Sequence, residues 1–203
     1  MAKKKILVLG NDPQINRIKF KLLGNNIKTF GVNRIFLAHY PSYYFFHDVA
    51  ILTELEQQPD ILETLKEKSN IFSSDWLLRN KKNNRDWINV LRRSSQTNHY
   101  FPDSITTGLR LLSYNYIDRS KYIFYLAGIS LKWTSPSHFW KELNYPGLNK
   151  ANKAWYDVRF SKMLDNFKRL KNIGFNMVSV NPNSELNKIL RYESINNLYT
   201  AKV

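Results

Sequence analysis

Short runs of β-forming apolar residues alternate along this chain with amphipathic stretches. That alternation points to an α/β fold: a mostly parallel sheet with helices on both faces. The run Lys5-Ile-Leu-Val-Leu-Gly10 is apolar without a break and stops at a turn signal, as a strand buried on both faces does. Asn11-Asp12-Pro13 follows as a turn and helix start, because Asp12 can cap and Pro13 fits a first helical turn that needs no amide hydrogen. Ile15, Ile18, Leu22 and Leu23 then share one helical face, and Gly24-Asn25 closes that helix. The same pattern predicts strands at Ile27–Val32, Asp48–Thr53, Tyr122–Gly128 and Phe175–Val180. Helices are predicted over Ile61–Lys68, Ile105–Tyr116, Ala154–Asn172 and Asn183–Leu190, with a longer amphipathic stretch over Trp76–Leu91. No internal repeat or Pro/Gly-rich linker interrupts the 203 residues, which read as one domain.

Composition excludes several classes of function. The chain has no cysteine, so disulfide scaffolds, thiolate zinc sites, iron–sulfur clusters and cysteine nucleophiles fall together. With 43% hydrophobic residues it carries too much apolar content for a disordered basic tail. Its longest apolar runs, such as Ile123–Ile129, fall far short of the ~20 residues that span a bilayer, and the Lys3–Lys5 start has no signal-peptide core behind it. A cytoplasmic protein is therefore expected. A formal charge of +15 points to a polyanionic partner, nucleic acid or an anionic membrane surface, without choosing between them.

In a parallel sheet the chemistry gathers at the carboxyl ends of the strands, where loops and helix starts face a crevice. Those ends read Gly10-Asn11-Asp12-Pro13, Asn33-Arg34, Gly128-Ile-Ser130-Leu-Lys132-Trp133 and Asn181-Pro-Asn183-Ser184. Small residues, amides and hydroxyls suit a nucleotide or phosphate, since backbone amides at a helix start bind anions. Neither G-x-G-x-x-G after the first strand nor G-x-x-x-x-G-K-[S/T] occurs, which disfavours an ordinary dinucleotide dehydrogenase or P-loop NTPase. No Asp-x-Asp pair is present to grip a divalent metal beside a diphosphate, and His39, His47 and His99 are too scattered for a histidine metal site.

Five segments in order carry a resemblance: Leu9-Gly10-Asn11-Asp12-Pro13, Val32-Asn33, Ile105-Thr106-Thr107-Gly108, Tyr125-Leu-Ala-Gly128-Ile129 and Asn181-Pro182-Asn183-Ser184. Together they resemble the bacterial sialyltransferases of glycosyltransferase family 42, with their G-N-G-P-S turn, Asn after strand two, I-T-S-G helix start, S-G-I-D strand end and C-P-N-S turn. The resemblance spans most of Ile6–Leu190 and implies a single Rossmann-like domain. It also implies a metal-independent transferase that takes a nucleotide sugar, UDP- or CMP-linked, with no other cofactor. By position, Gly10, Asn11 and Asn33 would line the nucleotide. Thr106, Thr107 and Gly108 would meet its ribose or phosphate, and Gly128 with Ser130 would flank the base or sugar.

The departures redirect the expectation. The family's Asp after S-G-I is Ser130 here, its phosphate-contacting tyrosine falls at Lys132, and its Arg before I-T-S-G falls at Ser104. Lys132 could neutralise a leaving phosphate directly. The family's catalytic histidine corresponds roughly to Asp157, a carboxylate that two neighbouring aromatics could desolvate enough to act as general base, or that could merely cap its helix. His138 is the nearest upstream histidine. Basic residues cluster at Arg79, Lys81, Lys82, Arg85, Arg92 and Arg93 and again at Lys150, Lys153 and Arg159, with Arg34 at a strand end. Flanking a crevice, they would track phosphates of DNA, and Trp133, Trp140, Trp155 and Tyr156 could stack on an extruded base. The expectation from sequence is thus sugar transfer to a hydroxylated base in DNA, as bacterial viruses disguise their genomes. Its alternatives are a sialyltransferase-like enzyme acting on cell-surface glycolipid and a non-enzymatic nucleic-acid-binding protein on the same fold.

Overall fold

A computed structural model describes residues 2–92, 103–133, 138–139 and 153–200, with the side chains of residues 81 and 153–156 left undescribed. The chain forms two compact units, one of Met1–Lys28 with Arg119–Val203 and one of Thr29–Asp118.

In the first unit, strand β1 (Lys4–Leu9) forms from the uninterrupted apolar run, and Ile6 to Leu9 are wholly buried. It pairs in parallel with a strand at Tyr122–Ala127, from Lys4 against Tyr122 to Leu9 against Ala127. That strand pairs in parallel with one at Met177–Ser179, which in turn pairs in parallel with a two-residue strand at Arg191–Tyr192. The helix at Lys153–Asn172 links the middle two, as a parallel crossover requires. The helix expected after β1 is replaced by two 3-10 turns, Pro13–Arg17 and Phe20–Leu22. Asp12 caps the first of them as expected, its Oδ1 accepting from Gln14 N at 2.9 Å. Ile18 is then extended, and the backbone finds tertiary partners instead of helical ones: Gly24 N donates to Leu198 O and Thr200 N to Leu22 O. The predicted closing helix shortens to a 3-10 turn at Glu185–Lys188, capped by Ser184.

The second unit is also a parallel sheet, built on β2 (Ile27–Val32), β3 (Tyr43–Phe46), β4 (Asn70–Ser74) and β5 (Asn89–Leu91), each paired with the next. Its core is aromatic. Tyr44, Phe45, Phe46 and Phe72 are all buried, with Tyr44 and Phe46 rings 5.8 Å apart. The strand expected at Asp48–Thr53 is a helix, α1 (Val49–Glu56), because Asp48 is an N-cap whose Oδ1 accepts from Ala50 N at 2.9 Å. Helix α2 (Pro59–Lys68) falls where the periodicity placed it, with proline in its first turn. The long amphipathic stretch breaks into a helical turn, α3 (Asp75–Leu78), a 3-10 turn and β5. Asparagines end the helix there: Asn80 accepts from Lys82 N at 3.0 Å and Asn83 donates to Leu77 O at 3.0 Å, each offering the backbone a non-helical partner. Helix α4 (Ser104–Asn115) matches its prediction and starts on Asp103, which is 5% exposed.

With these in place, the first unit's elements in chain order are β6 (Tyr122–Ala127), α5 (Lys153–Asn172), β7 (Met177–Ser179) and β8 (Arg191–Tyr192). Every strand pairing named here is parallel, so the expected α/β, Rossmann-like class holds.

Candidate functional site

Three strand ends of the first unit are tied into one rigid platform. Beyond the last β1–β6 pair, Gly10 N donates to Ala127 O and Asp12 N to Gly128 O, both at 2.9 Å. The approach is close enough that a side chain at Gly10 would run into the Gly128 carbonyl. Gly128 itself has φ +63°, and a Cβ there would lie 2.5 Å from Ile15. Both glycines, expected to face a nucleotide, are buried, and the closeness of the backbones requires them. Gln14 spans the ends of β1, β6 and β7. Its backbone is capped by Asp12, its Oε1 accepts from Gly128 N at 3.1 Å, and its Nε2 donates to Val180 O at 3.4 Å. Sequence reading missed it, because a glutamine in a helix start carries no motif of its own.

The Asn181–Ser184 turn is fastened to the end of β6 as well. Ser184 Oγ donates to Ile129 O at 2.6 Å, and Glu185 N donates to Ser130 O at 2.9 Å. Thus the two segments the sequence named separately, Gly128–Lys132 and Asn181–Ser184, form one structure. Ser130 is buried, and its hydroxyl is 3.4 Å from both the amide and the carbonyl of Lys132.

Beside that platform opens a cleft of about 420 Å³ whose lining includes Lys132, Trp133, Asp157, Phe160 and Glu185. It brings together two of the three residues expected to act in catalysis, Lys132 and Asp157. Lys132 Nζ lies 3.2 Å from Glu185 Oε1, and the other oxygen of that carboxylate is held by Lys188 Nζ. Hydrogen bonds from Lys188 and Lys132 keep the Glu185 carboxyl below its ordinary pKa, so it is a fixed anion. Asp157 projects from the first turns of α5 and is exposed. Its flanking Trp155 and Tyr156 side chains, with Trp140, lie outside the described residues. The third residue, His138, is half-buried in a segment docked on the β1 loop, where Phe139 N donates to Asn11 O at 2.9 Å and Asn16 Nδ2 to Phe139 O at 3.2 Å.

Asn11 carries a signature of its own. Its Oδ1 is buried with no hydrogen-bond partner among the described residues. An orphaned buried acceptor costs free energy on the order of 1–3 kcal/mol, which a ligand donor would recover.

In the second unit the predicted residues divide in the same way. Asn33 stands at the end of β2 with φ +52°, and its Oδ1 is also buried and unpartnered. Tyr44 donates its hydroxyl to Asn33 O at 2.6 Å, and burial, then the nearby Glu54, pushes that phenol well above its ordinary pKa and keeps it a donor. Thr106 is committed locally: its hydroxyl and amide both donate to Asp103, at 2.5 and 2.8 Å, in the cap of α4. Gly108 is a packing residue, because a Cβ there would stand 2.6 Å from Phe45 and 2.8 Å from Phe30. Thr107 is half-buried one turn into the helix. Of the nucleic-acid residues, Arg34 is paired through Nε and Nη2 with Glu54 at 3.1 and 2.7 Å. Arg85 is paired with Glu56 at 2.5 Å and donates to the carbonyls of Lys82 and Asn84. Arg79, Lys82 and Arg92 are exposed, while Arg159, on α5 in the first unit, is half-buried. Arg93 and Lys150 lie outside the described residues, as do the side chains of Lys81 and Lys153. His47, set aside in the sequence as one of three scattered histidines, stands half-buried directly after β3, a strand end that the strand expected at Asp48–Thr53 does not predict.

Neither the protein-family models nor the curated proteins yield a match to this sequence. Solved structures do. The sialyltransferase CstII from Campylobacter jejuni, in complex with the substrate analogue cytidine-5'-monophosphate, superposes with a TM-score of 0.60 at 13% identity, over 100% of this chain and 89% of that one. The chain has the fold of that sialyltransferase. CST-II in complex with a trisaccharide acceptor and CMP gives a TM-score of 0.57 at 13% identity, covering 98% of this chain and 89% of that one. An α-2,3-sialyltransferase from Campylobacter jejuni in apo form gives 0.50 at 19% identity, covering 98% and 83%. At these identities the likeness is one of fold, and the chemistry rests on the residues themselves. Among the described residues no helix is long and apolar enough to cross a membrane.

Proposed function

We propose that this protein is a glycosyltransferase that moves a sugar from a nucleotide-sugar donor, CMP- or UDP-linked, to a carbohydrate hydroxyl. The observation that carries the reading is the cleft at the carboxyl ends of β6 and β7, where a lysine and an exposed carboxylate face one space beside a rigid strand-end platform. Open parallel sheets bind their ligands at that edge. Lys132 is placed to neutralise charge developing on the leaving phosphate, the role a metal plays in other transferases. Asp157, exposed in the same cleft, serves as the base that takes the acceptor proton. The fold shared with CstII, which was captured with CMP and with a trisaccharide acceptor, supports a nucleotide donor and a sugar acceptor.

A carbohydrate acceptor is preferred to the DNA base that charge alone suggested. The fold is shared with a sialyltransferase captured with a trisaccharide acceptor, and two of the cations expected on DNA, Arg34 and Arg85, form ion pairs with Glu54 and Glu56. The test is mass spectrometry after incubation with a panel of nucleotide sugars, one arm holding oligosaccharides and glycolipid, the other hydroxymethylated DNA. A mass gain of one sugar on the glycan arm is expected. A gain on DNA alone restores the nucleic-acid acceptor, and none on either, together with no nucleotide binding, rejects the transferase reading. Asp157→Asn should abolish transfer and spare donor binding; full turnover by that variant removes Asp157 as the base.

A further inference from the structure

Glu185 holds a lysine on each of its two oxygens, Lys132 Nζ at 3.2 Å on one and Lys188 Nζ on the other. An isolated surface pair of this kind is unremarkable. This arrangement differs because its members sit on two elements that the platform fixes. Lys132 follows β6, while Glu185 and Lys188 belong to the 3-10 turn after β7, and the two are joined by Glu185 N to Ser130 O and Ser184 Oγ to Ile129 O. Glu185 lines the cleft with Lys132, and its side chain is 25% exposed, whereas the two lysines are 50% and 69% exposed. Two ammonium groups that converge on one carboxylate are donors spaced to share a single anion.

We infer that Lys132 and Lys188 form a two-lysine cradle for the donor's phosphate and that Glu185 is the built-in anion which occupies it until the donor arrives. The inference rests on the nucleotide-sugar reading and adds to it a second phosphate-binding residue and a competitor for the site. When a phosphate enters, both lysines exchange a carboxylate oxygen for a phosphate oxygen, and Glu185 turns toward solvent. The carboxylate therefore sets a threshold: it lowers affinity for every phosphate ligand and hastens departure of the spent nucleotide. Because Glu185 is held ionised by its two hydrogen bonds, the competition persists across the neutral range.

Calorimetric titration with CMP, UDP and inorganic phosphate tests this on the wild-type chain and two variants. Glu185→Gln should bind the nucleotides about three- to ten-fold more tightly, because the competing anion is gone while the side chain keeps its size. Lys188→Met should bind them about three- to ten-fold more weakly and reduce the dependence of log K on log salt by about one ion. Both substitutions lie at the surface of a turn capped by Ser184, and unchanged thermal unfolding verifies that the fold is intact. Unchanged or weaker nucleotide binding by Glu185→Gln overturns the inference, as does a Lys188→Met variant that binds like wild type. If inorganic phosphate binds and tightens in Glu185→Gln while no nucleotide binds, the cradle stands and the donor reading falls. If no phosphate ligand binds any of the three proteins, the cradle itself is rejected.

Discussion

Replacing Gly128 by alanine probes the contact that brings β1 and β6 into one platform. Two costs can be separated. Gly128 has φ +63°, a left-handed conformation that costs a residue with a Cβ about 1–2 kcal/mol. The new methyl would also stand 2.5 Å from both Cγ1 and Cδ1 of Ile15, which is wholly buried, and overpacking of that kind costs about 1–3 kcal/mol. A combined loss of about 3 kcal/mol would lower Tm by about 6–12 °C for a chain of this size. Ile15→Ala alone should cost about 2–5 kcal/mol through the cavity it leaves. In the double variant the added methyl no longer meets Ile15, so only the left-handed penalty survives. The combined destabilisation should fall short of the sum of the single ones by about 1–3 kcal/mol. Urea unfolding of the four proteins reads this coupling, with m-values compared to exclude changes in the unfolded state. Additivity within about 0.5 kcal/mol would refute the argument, since it would mean that residues 15 and 128 do not touch.

Other consequences follow from the same geometry. Gly10→Ala should be more severe than Gly128→Ala, because its methyl meets the Gly128 carbonyl, a backbone atom that cannot rotate away; soluble yield and circular dichroism check this. Gly108→Ala should destabilise by about 1–3 kcal/mol in chemical denaturation, since Phe45 and Phe30 leave no room for a Cβ. Burial lowers the pKa of His39 from 6.5 to about 4, while its Nε2 lies 3.2 Å from Thr29 Oγ1. Between those two values the unfolded chain binds the extra proton, so stability present above pH 6.5 is lost as pH falls toward 4. His39→Gln should flatten that part of the stability curve, with a slope change well under 1.4 kcal/mol per pH unit because the ring is partly exposed.

Much of the architecture was legible in local chemistry. The apolar run of β1 is buried because no polar residue interrupts it. The positions of α2 and α4 follow from their periodicity and start residues. Asp12 caps as its place before Pro13 implied. Errors arose where one residue type serves two purposes. Asp48 begins an apolar run that suggests a strand, yet it caps α1, and the aromatic run Tyr43–Phe46 before it supplies β3. That displacement also hid the strand-end position of His47. The helix expected after β1 gives way to two 3-10 turns, because Leu22 and Gly24 bond to residues 198–200, which no local pattern can reveal.

By itself the sequence determined a parallel α/β chain, its strand-end loops, and the polar residues those loops carry, among them Asn11, Asn33 and Lys132. Tertiary structure alone decided which partners the polar side chains take up. Thr106 is spent on Asp103, Arg34 on Glu54 and Arg85 on Glu56, while Gln14 and Glu185 gain their importance only from partners far along the chain. The physical reason is that residue type fixes what a side chain can donate, accept or neutralise. Whether that capacity is already satisfied depends on contacts made only once distant segments pack together.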